Sequence, residues 1–232
     1  MLLGSLTLLV ALAALGAWGH ASISNSRTLH AWLRGPAFQL QTVLILGLQA
    51  LEPGDVLTRS GLRAGTPLVD LPLERLRARI EADARIRHCH LARIYPHRLL
   101  LAVDERRPVA RLAGSRVAVD REGVRFPLTA REDARLPQIS GDPGPALAAL
   151  AAAERAGLEI ESIRVRAPRD LQVRPRQDSV VLRVGADAAR AFGDWLRLRS
   201  SGALRGLSVS EVDLRFRGNA ILARRARVRE GG

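Results

Sequence analysis

The chain of 232 residues has room for one or two small domains besides any membrane segment, and with 47% hydrophobic and 25% charged residues most of it is expected to fold. Aromatics make up only 3%, so the core has to be built from Leu, Val, Ile and Ala. The net charge of +13 raises nucleic acid as a partner, but there is no lysine and the arginines are scattered over turns and strand faces; that reading is set aside, and only a favourable relation to anionic lipid is kept.

Leu2 to Trp18 carries no charge, and Ser5 and Thr7 are its only polar side chains. Extended to Ile23, the run is roughly 22 residues, enough at about 1.5 Å per residue to cross a hydrocarbon core of about 30 Å. Trp18 and His20 would then lie near an interface. An uncleaved signal anchor over 1–23 is favoured over a cleaved signal peptide, because the run exceeds a usual h-region and no basic n-region precedes it. Residues 24–36, polar and basic without a clear period, read as a linker. Cys89 is the single cysteine, so no intramolecular disulfide is possible.

Phe38 to Gly47 alternates as a strand. Pro53 opens a short helix and Asp70 is placed as N-cap of a second, on which Leu73, Leu76 and Ile80 share a face. Ile86–Tyr95 and Arg98–Glu105 form two further strands, joined by a tight turn at Tyr95-Pro96, and Pro108 ends the module. Short strands follow at Val109–Leu112, Arg116–Asp120 and Val124–Phe126, with Glu122-Gly123 as a turn. A helix over Gly144–Gly157 precedes strands at Ile160–Arg166, Leu171–Arg174 and Ser179–Val184. A helix capped by Asp187 presents Ala188, Ala191, Phe192, Trp195 and Leu198 inward. Leu207–Phe216 and Ala220–Ala223 are the last strands, and 225–232 is a polar tail.

The order strand, helix, helix, strand, strand predicts an α+β sandwich for the first module. The stretch Arg93-Ile-Tyr-Pro-His-Arg-Leu, followed by Val103-Asp-Glu-Arg-Arg-Pro-Val-Ala, resembles the end of the POTRA domain of the FtsQ/DivIB family of bacterial cell-division proteins. Gly65-Thr-Pro-Leu-Val-Asp70, Val117-Ala-Val-Asp120, Leu136-Pro-Gln-Ile-Ser-Gly141 and Val212-Asp-Leu-Arg-Phe216 are similar to further landmarks of that family. Arg85 and Tyr95 stand where it often has tryptophan. The resemblance covers roughly residues 36 to 224. It implies a membrane anchor, a POTRA domain over 37–107 (β-α-α-β-β) and a mixed β domain with two helices over 108–224.

No catalytic chemistry is expected. His88, Cys89 and His90 are consecutive on a strand, so they point to opposite faces and cannot converge on one metal ion. Neither a Gly-x-Ser-x-Gly elbow nor a phosphate-cradling Gly-rich loop is present. Asp104 and Glu105 face apart, and Glu105-Arg106 reads as a surface charge pair at a strand end. No cofactor, metal, nucleic acid or small-molecule substrate is expected.

The terminal strand after Asn219 is expected near a sheet edge, where a partner can add a strand. By resemblance, the partner is the extracytoplasmic part of an FtsB/FtsL-like coiled-coil pair, beside other division membrane proteins and lipid. The contact positions carried over are Phe216, Gly218 and Asn219, with Arg215 and Ala220 beside them. Asn219 replaces a common glycine and Phe216 a common tyrosine. Arg169 lies near where the family presents an arginine to a partner carboxylate, and a second surface is placed at Leu91 and Arg93 of the POTRA domain. The resemblance implies a scaffold linking early and late division components, single-pass in the inner membrane with its C-terminal part in the periplasm at the septum. The alternatives are another POTRA protein of envelope transport or assembly, and a periplasmic hydrolase with an unrecognised site.

Overall fold

The computed structural model describes residues 28–129, 132 and 135–224. Among these no helix is long and apolar enough to cross a membrane. The expected anchor Leu2–Ile23 and the tail 225–232 lie outside the described residues. The chain divides into two compact units, Met1–Glu105 and Arg106–Gly232.

In the first unit the expected linker is partly structured: residues 28–33 are helical and a 3-10 turn follows at Pro36–Phe38. Then come strand β1 (Thr42–Leu46), helix α1 (Pro53–Ser60), a 3-10 turn at Leu68–Asp70, helix α2 (Leu73–Glu81) and strands β2 (Ile86–Ile94) and β3 (Arg98–Glu105). The sheet order is β1-β3-β2, with β1 parallel and β2 antiparallel to the central β3. Leu99, Leu101 and Val103 alternate inward from β3. They meet Val56 of α1 and Leu76 and Ile80 of α2 in the cores beneath the helices. Gly47 follows β1 with φ 87°, and a Cβ there would stand 2.0 Å from the Val103 carbonyl oxygen, so only glycine fits this close approach.

Three expectations need correction here. The first strand starts at Thr42, not Phe38, because Leu40 exchanges backbone hydrogen bonds with Gly65 and Thr66 instead of the ladder. Val43 and Ile45 are its inward pair, leaving Leu44 and Leu46 exposed on the outer face. Asp70 does not cap α2, whose N-cap is Pro72; its carboxylate instead accepts a bidentate pair from Arg34, at 2.9 Å from both Nε and Nη2. Glu105 is no surface charge. Its buried carboxylate accepts the backbone N–H groups of Gln49, Ala50 and Leu51 at 2.9–3.1 Å and lies 4.0 Å from the buried Arg85.

The second unit contains β4 (Ala110–Leu112), β5 (Val117–Val119), β6 (Arg125–Pro127), β7 (Gln138–Ser140), α3 (Pro143–Arg155), β8 (Ile160–Ala167), β9 (Asp170–Pro175), β10 (Val181–Val184), α4 (Ala188–Ser200), β11 (Val209–Asp213) and β12 (Ile221–Arg224). They form one nine-stranded mixed sheet in the order β12-β11-β10-β9-β8-β7-β4-β5-β6. Two parallel pairs, β7–β8 and β10–β11, are connected through α3 and α4. Ala146, Ala149 and Ala153 of α3 and Ala191, Phe192 and Trp195 of α4 pack with Ile163, Val173, Leu182 and Val212 in one core. The alanine face of α3 permits close approach to the sheet. Asp142 and Asp187 cap the two helices, accepting from the backbone N–H groups of Gly144 and Arg190. Asp120 turns the β5–β6 hairpin by accepting from the Glu122 and Val124 amides at 2.9 Å, and its other oxygen pairs with Arg106 at 2.7 Å.

Candidate functional site

Strand β12 is one edge of the nine-stranded sheet, and among the described residues no strand pairs with its outer side. It runs antiparallel to β11, Ile221 opposite Asp213 and Leu222 opposite Val212, with a register shift between Val209 and Glu211. The other edge, β6, is three residues long and ends in Pro127, which has no N–H to offer. An added strand therefore finds more of its template at β12.

The chain reaches β12 through a tight turn. Leu214 is buried, Arg215 half-buried, and Phe216 through Ala223 are exposed. Phe216 is 50% exposed and Ile221 56%, with Leu222 also open, so apolar side chains stand on and beside the edge. Gly218 takes φ 73°, the left-handed conformation that lets Arg217-Gly218-Asn219 reverse the chain. Ala220 lies just before the ladder rather than in it.

Phe216 is held from two sides. From α4, Arg190 donates Nη2 to the Leu214 carbonyl at 2.6 Å and Nη1 to the Asp194 carboxylate at 2.6 Å, reaching the Phe216 carbonyl at 3.5 Å. On the other face of the sheet, Arg215 clamps Asp213 (Nη2–Oδ2 2.7 Å) and stands 5.7 Å from the Phe216 ring centroid. This belongs to a ladder of alternating charge. Asp170 on β9 pairs with Arg183 on β10 at 2.7 Å and with Arg215 at 3.7 Å, and Arg183 also approaches Glu211 at 3.8 Å. Hydrogen bonds from Arg215 hold the Asp213 carboxyl below the usual range, while Asp213 and Asp170 raise Arg215 and Arg183 respectively. The turn is thus charged, preorganised and apolar at its tip.

The expected site residues fall into two groups. Arg215, Phe216, Gly218, Asn219 and Ala220 form one continuous segment leading into β12. Arg169 is exposed in the β8–β9 turn, one residue before Asp170, whose carboxylate meets Arg215; the two regions are therefore neighbours. Leu91 and Arg93 are different. Leu91 packs against the first unit's core, and Arg93 donates to the Leu68 and Leu71 carbonyls at 2.6 Å, so both side chains hold the POTRA-like module together. The residues that sequence reasoning missed are Arg190, Arg183 and Asp170, which order the turn from other elements. Their signal is only an arginine or aspartate on a helix or strand, and the partners become visible once the sheet order is known.

Cys89 is buried between His88 and His90, which are exposed on the opposite face; burial pushes its thiol up to about 11. Among the described residues no three His, Cys, Asp or Glu side chains are grouped to hold a metal. A groove of about 880 Å³ in the second unit is lined by Leu147, Leu150 and Leu158, and its Glu154 and Glu159 each face an arginine, Arg121 and Arg176.

Residues 38–106 match the family described as POTRA domain, FtsQ-type. The chain is similar to the cell division protein FtsQ of Streptomyces collinus, 37% identical over 53% of this chain and 45% of the relative. It is also similar to FtsQ of Streptomyces coelicolor, 32% identical over 55% and 50%, and to FtsQ of Caulobacter vibrioides, 30% identical over 56% and 41%. The chain thus spans about half the length, or less, of the curated relatives it matches. Residues 38–106 thus match an FtsQ-type POTRA domain in sequence and fold as its three-stranded sheet with two helices, and about half of the chain is similar to cell division proteins FtsQ.

Proposed function

We propose that the protein serves bacterial cell division as a membrane-bound scaffold, acting by binding and linking early and late components of the division complex. Leu2–Ile23 anchors it once in the inner membrane, and residues 37–107 and 108–224 act as two domains on the periplasmic side at the septum. The binding face is the segment Arg215, Phe216, Gly218, Asn219 and Ala220 with the outer side of β12, and Arg169 stands at its flank. The occupant is the extracytoplasmic part of an FtsB/FtsL-like coiled-coil pair, which adds backbone hydrogen bonds along β12 and seats against Phe216.

The observation that supports this reading best is the half-exposed Phe216 at the head of an open edge strand, fixed by Arg190 and Arg215. A core aromatic would be covered; this one is presented. Depletion in growing cells tests the assignment of class: cells that elongate into filaments without septa support it. Normal septation with defective outer-membrane assembly would assign the protein to the other POTRA class instead.

A further inference from the structure

An apolar, aromatic surface lies at one end of the first unit, away from β12 in the sequence and unused by the function above. In the helical segment 28–33, Leu29, Trp32 and Leu33 share one face at i, i+3 and i+4 spacing. Leu29 is 56% and Trp32 62% exposed. The Trp32 ring packs on Phe38 at 4.4 Å between centroids, and Phe38 meets Tyr95 of the β2–β3 turn edge-on at 6.2 Å. Tyr95 is itself 46% exposed. The bidentate Arg34–Asp70 pair fastens the segment to the unit, so the aromatic group is a fixed part of the fold.

Three features of the chain point to what covers it. First, Trp32 follows the uncharged run ending at Ile23 by nine residues, at most about 32 Å of extended chain, so the group stays close to any bilayer that holds the run. Second, Trp and Tyr are the side chains whose ring and polar edge suit the headgroup layer. Third, Arg27 follows the run, no acidic residue occurs before Glu52 in the chain, the Asp70 carboxylate that meets the segment is matched by Arg34, and Arg98 is exposed at the start of β3 beside the turn bearing Tyr95. That charge pattern matches an anionic lipid surface.

We infer that Leu29, Trp32 and Tyr95 seat the first unit on the headgroup layer of an anionic membrane. The lipid contact sets where the unit stands above the bilayer. This rests on the reading of Leu2–Ile23 as a membrane anchor.

The test uses the full-length protein in phosphatidylethanolamine–phosphatidylglycerol vesicles containing lipids brominated at shallow acyl positions. The chain has three tryptophans, and Trp195 is buried in the second unit, where it gives a constant background. Comparing wild type with Trp18→Phe and with Trp32→Phe isolates the emission of each remaining tryptophan. The inference expects loss of the Trp32-dependent emission in brominated vesicles, and a smaller loss when phosphatidylcholine replaces phosphatidylglycerol. Quenching of the Trp18-dependent part with an unaffected Trp32-dependent part would overturn the inference while leaving the anchor in place. Absence of quenching at both positions would overturn the anchor and the inference together.

Discussion

Glu105 shows how far a single side chain departs from its local sequence context. Beside Asp104 and Arg106 it reads as a strand-end charge, yet it is buried and accepts three amides more than fifty residues earlier in the chain. Removing it strands those three donors and takes a buried carboxylate from beside the Arg85 guanidinium. Glu105→Ala is expected to destabilise the first unit by about 3–5 kcal/mol, read as a lowered denaturation midpoint, and an unchanged midpoint would contradict the assignment. Nothing in the sequence marks this partner set, because the amides of 49–51 are identified only by where Gly47 turns the chain. Phe216 enters by another route: the family resemblance alone marks the position, and the structure adds that its side chain stands half exposed before a left-handed Gly218. Asp213 carries a pH signature. Arg215 holds its folded pKa below the unfolded value near about 4, so its contribution is fully present above that value and is lost as the pH falls through the lower folded one. The stability difference between wild type and Asp213→Asn should therefore be constant near neutral pH and shrink in acid. A difference that grows below about pH 4 would contradict the sign.

At the scale of elements, hydrophobic alternation located the strands of the first unit well, because Leu99, Leu101 and Val103 face one buried side without interruption. It failed from Phe38 to Gln41, where the apolar residues keep a period of two while Phe38 ends a 3-10 turn and the Leu40 backbone bonds to Thr66 and Gly65. It failed at Asp70 for a related reason: an aspartate ahead of a helix is a good cap by type, but Arg34 takes its carboxylate. Strand β11 is shorter than expected, Val209–Asp213 instead of Leu207–Phe216, and β12 is shifted by one residue to Ile221–Arg224, since Leu214 to Ala220 forms the turn rather than the ladder. This changes the element-level test. Ala220 stands outside the pairing, so Ala220→Pro does not probe the edge hydrogen bonds. Gly218→Ala does probe the turn: its Cβ would meet nothing within 4 Å, so the cost is conformational, about 1–2 kcal/mol. Hydrogen exchange should then accelerate at Ile221–Ala223 while the α3 amides keep their protection. Unchanged exchange at the edge would mean that the turn does not hold β12.

For the whole molecule, a module of strands and helices followed by a larger mixed sheet could be read from periodicity and from the landmark segments, but the order of nine strands could not. Parallel pairing of β10 with β11 across α4 brings Asp170, Arg183 and Asp213 together from positions far apart in sequence, and only then does the Phe216 turn acquire its supports. The central claim is that this turn and the β12 edge receive the partner. Its most direct measurement is the affinity of the membrane-reconstituted full chain for an FtsB/FtsL-like coiled-coil pair from the same organism, wild type against Phe216→Ala, with thermal unfolding of both followed by circular dichroism. An aromatic at the centre of an interface contributes about 2 kcal/mol or more, so Phe216→Ala is predicted to weaken binding roughly thirty-fold or beyond while the melting curve stays in place. Wild-type affinity in a folded Phe216→Ala protein would contradict the account.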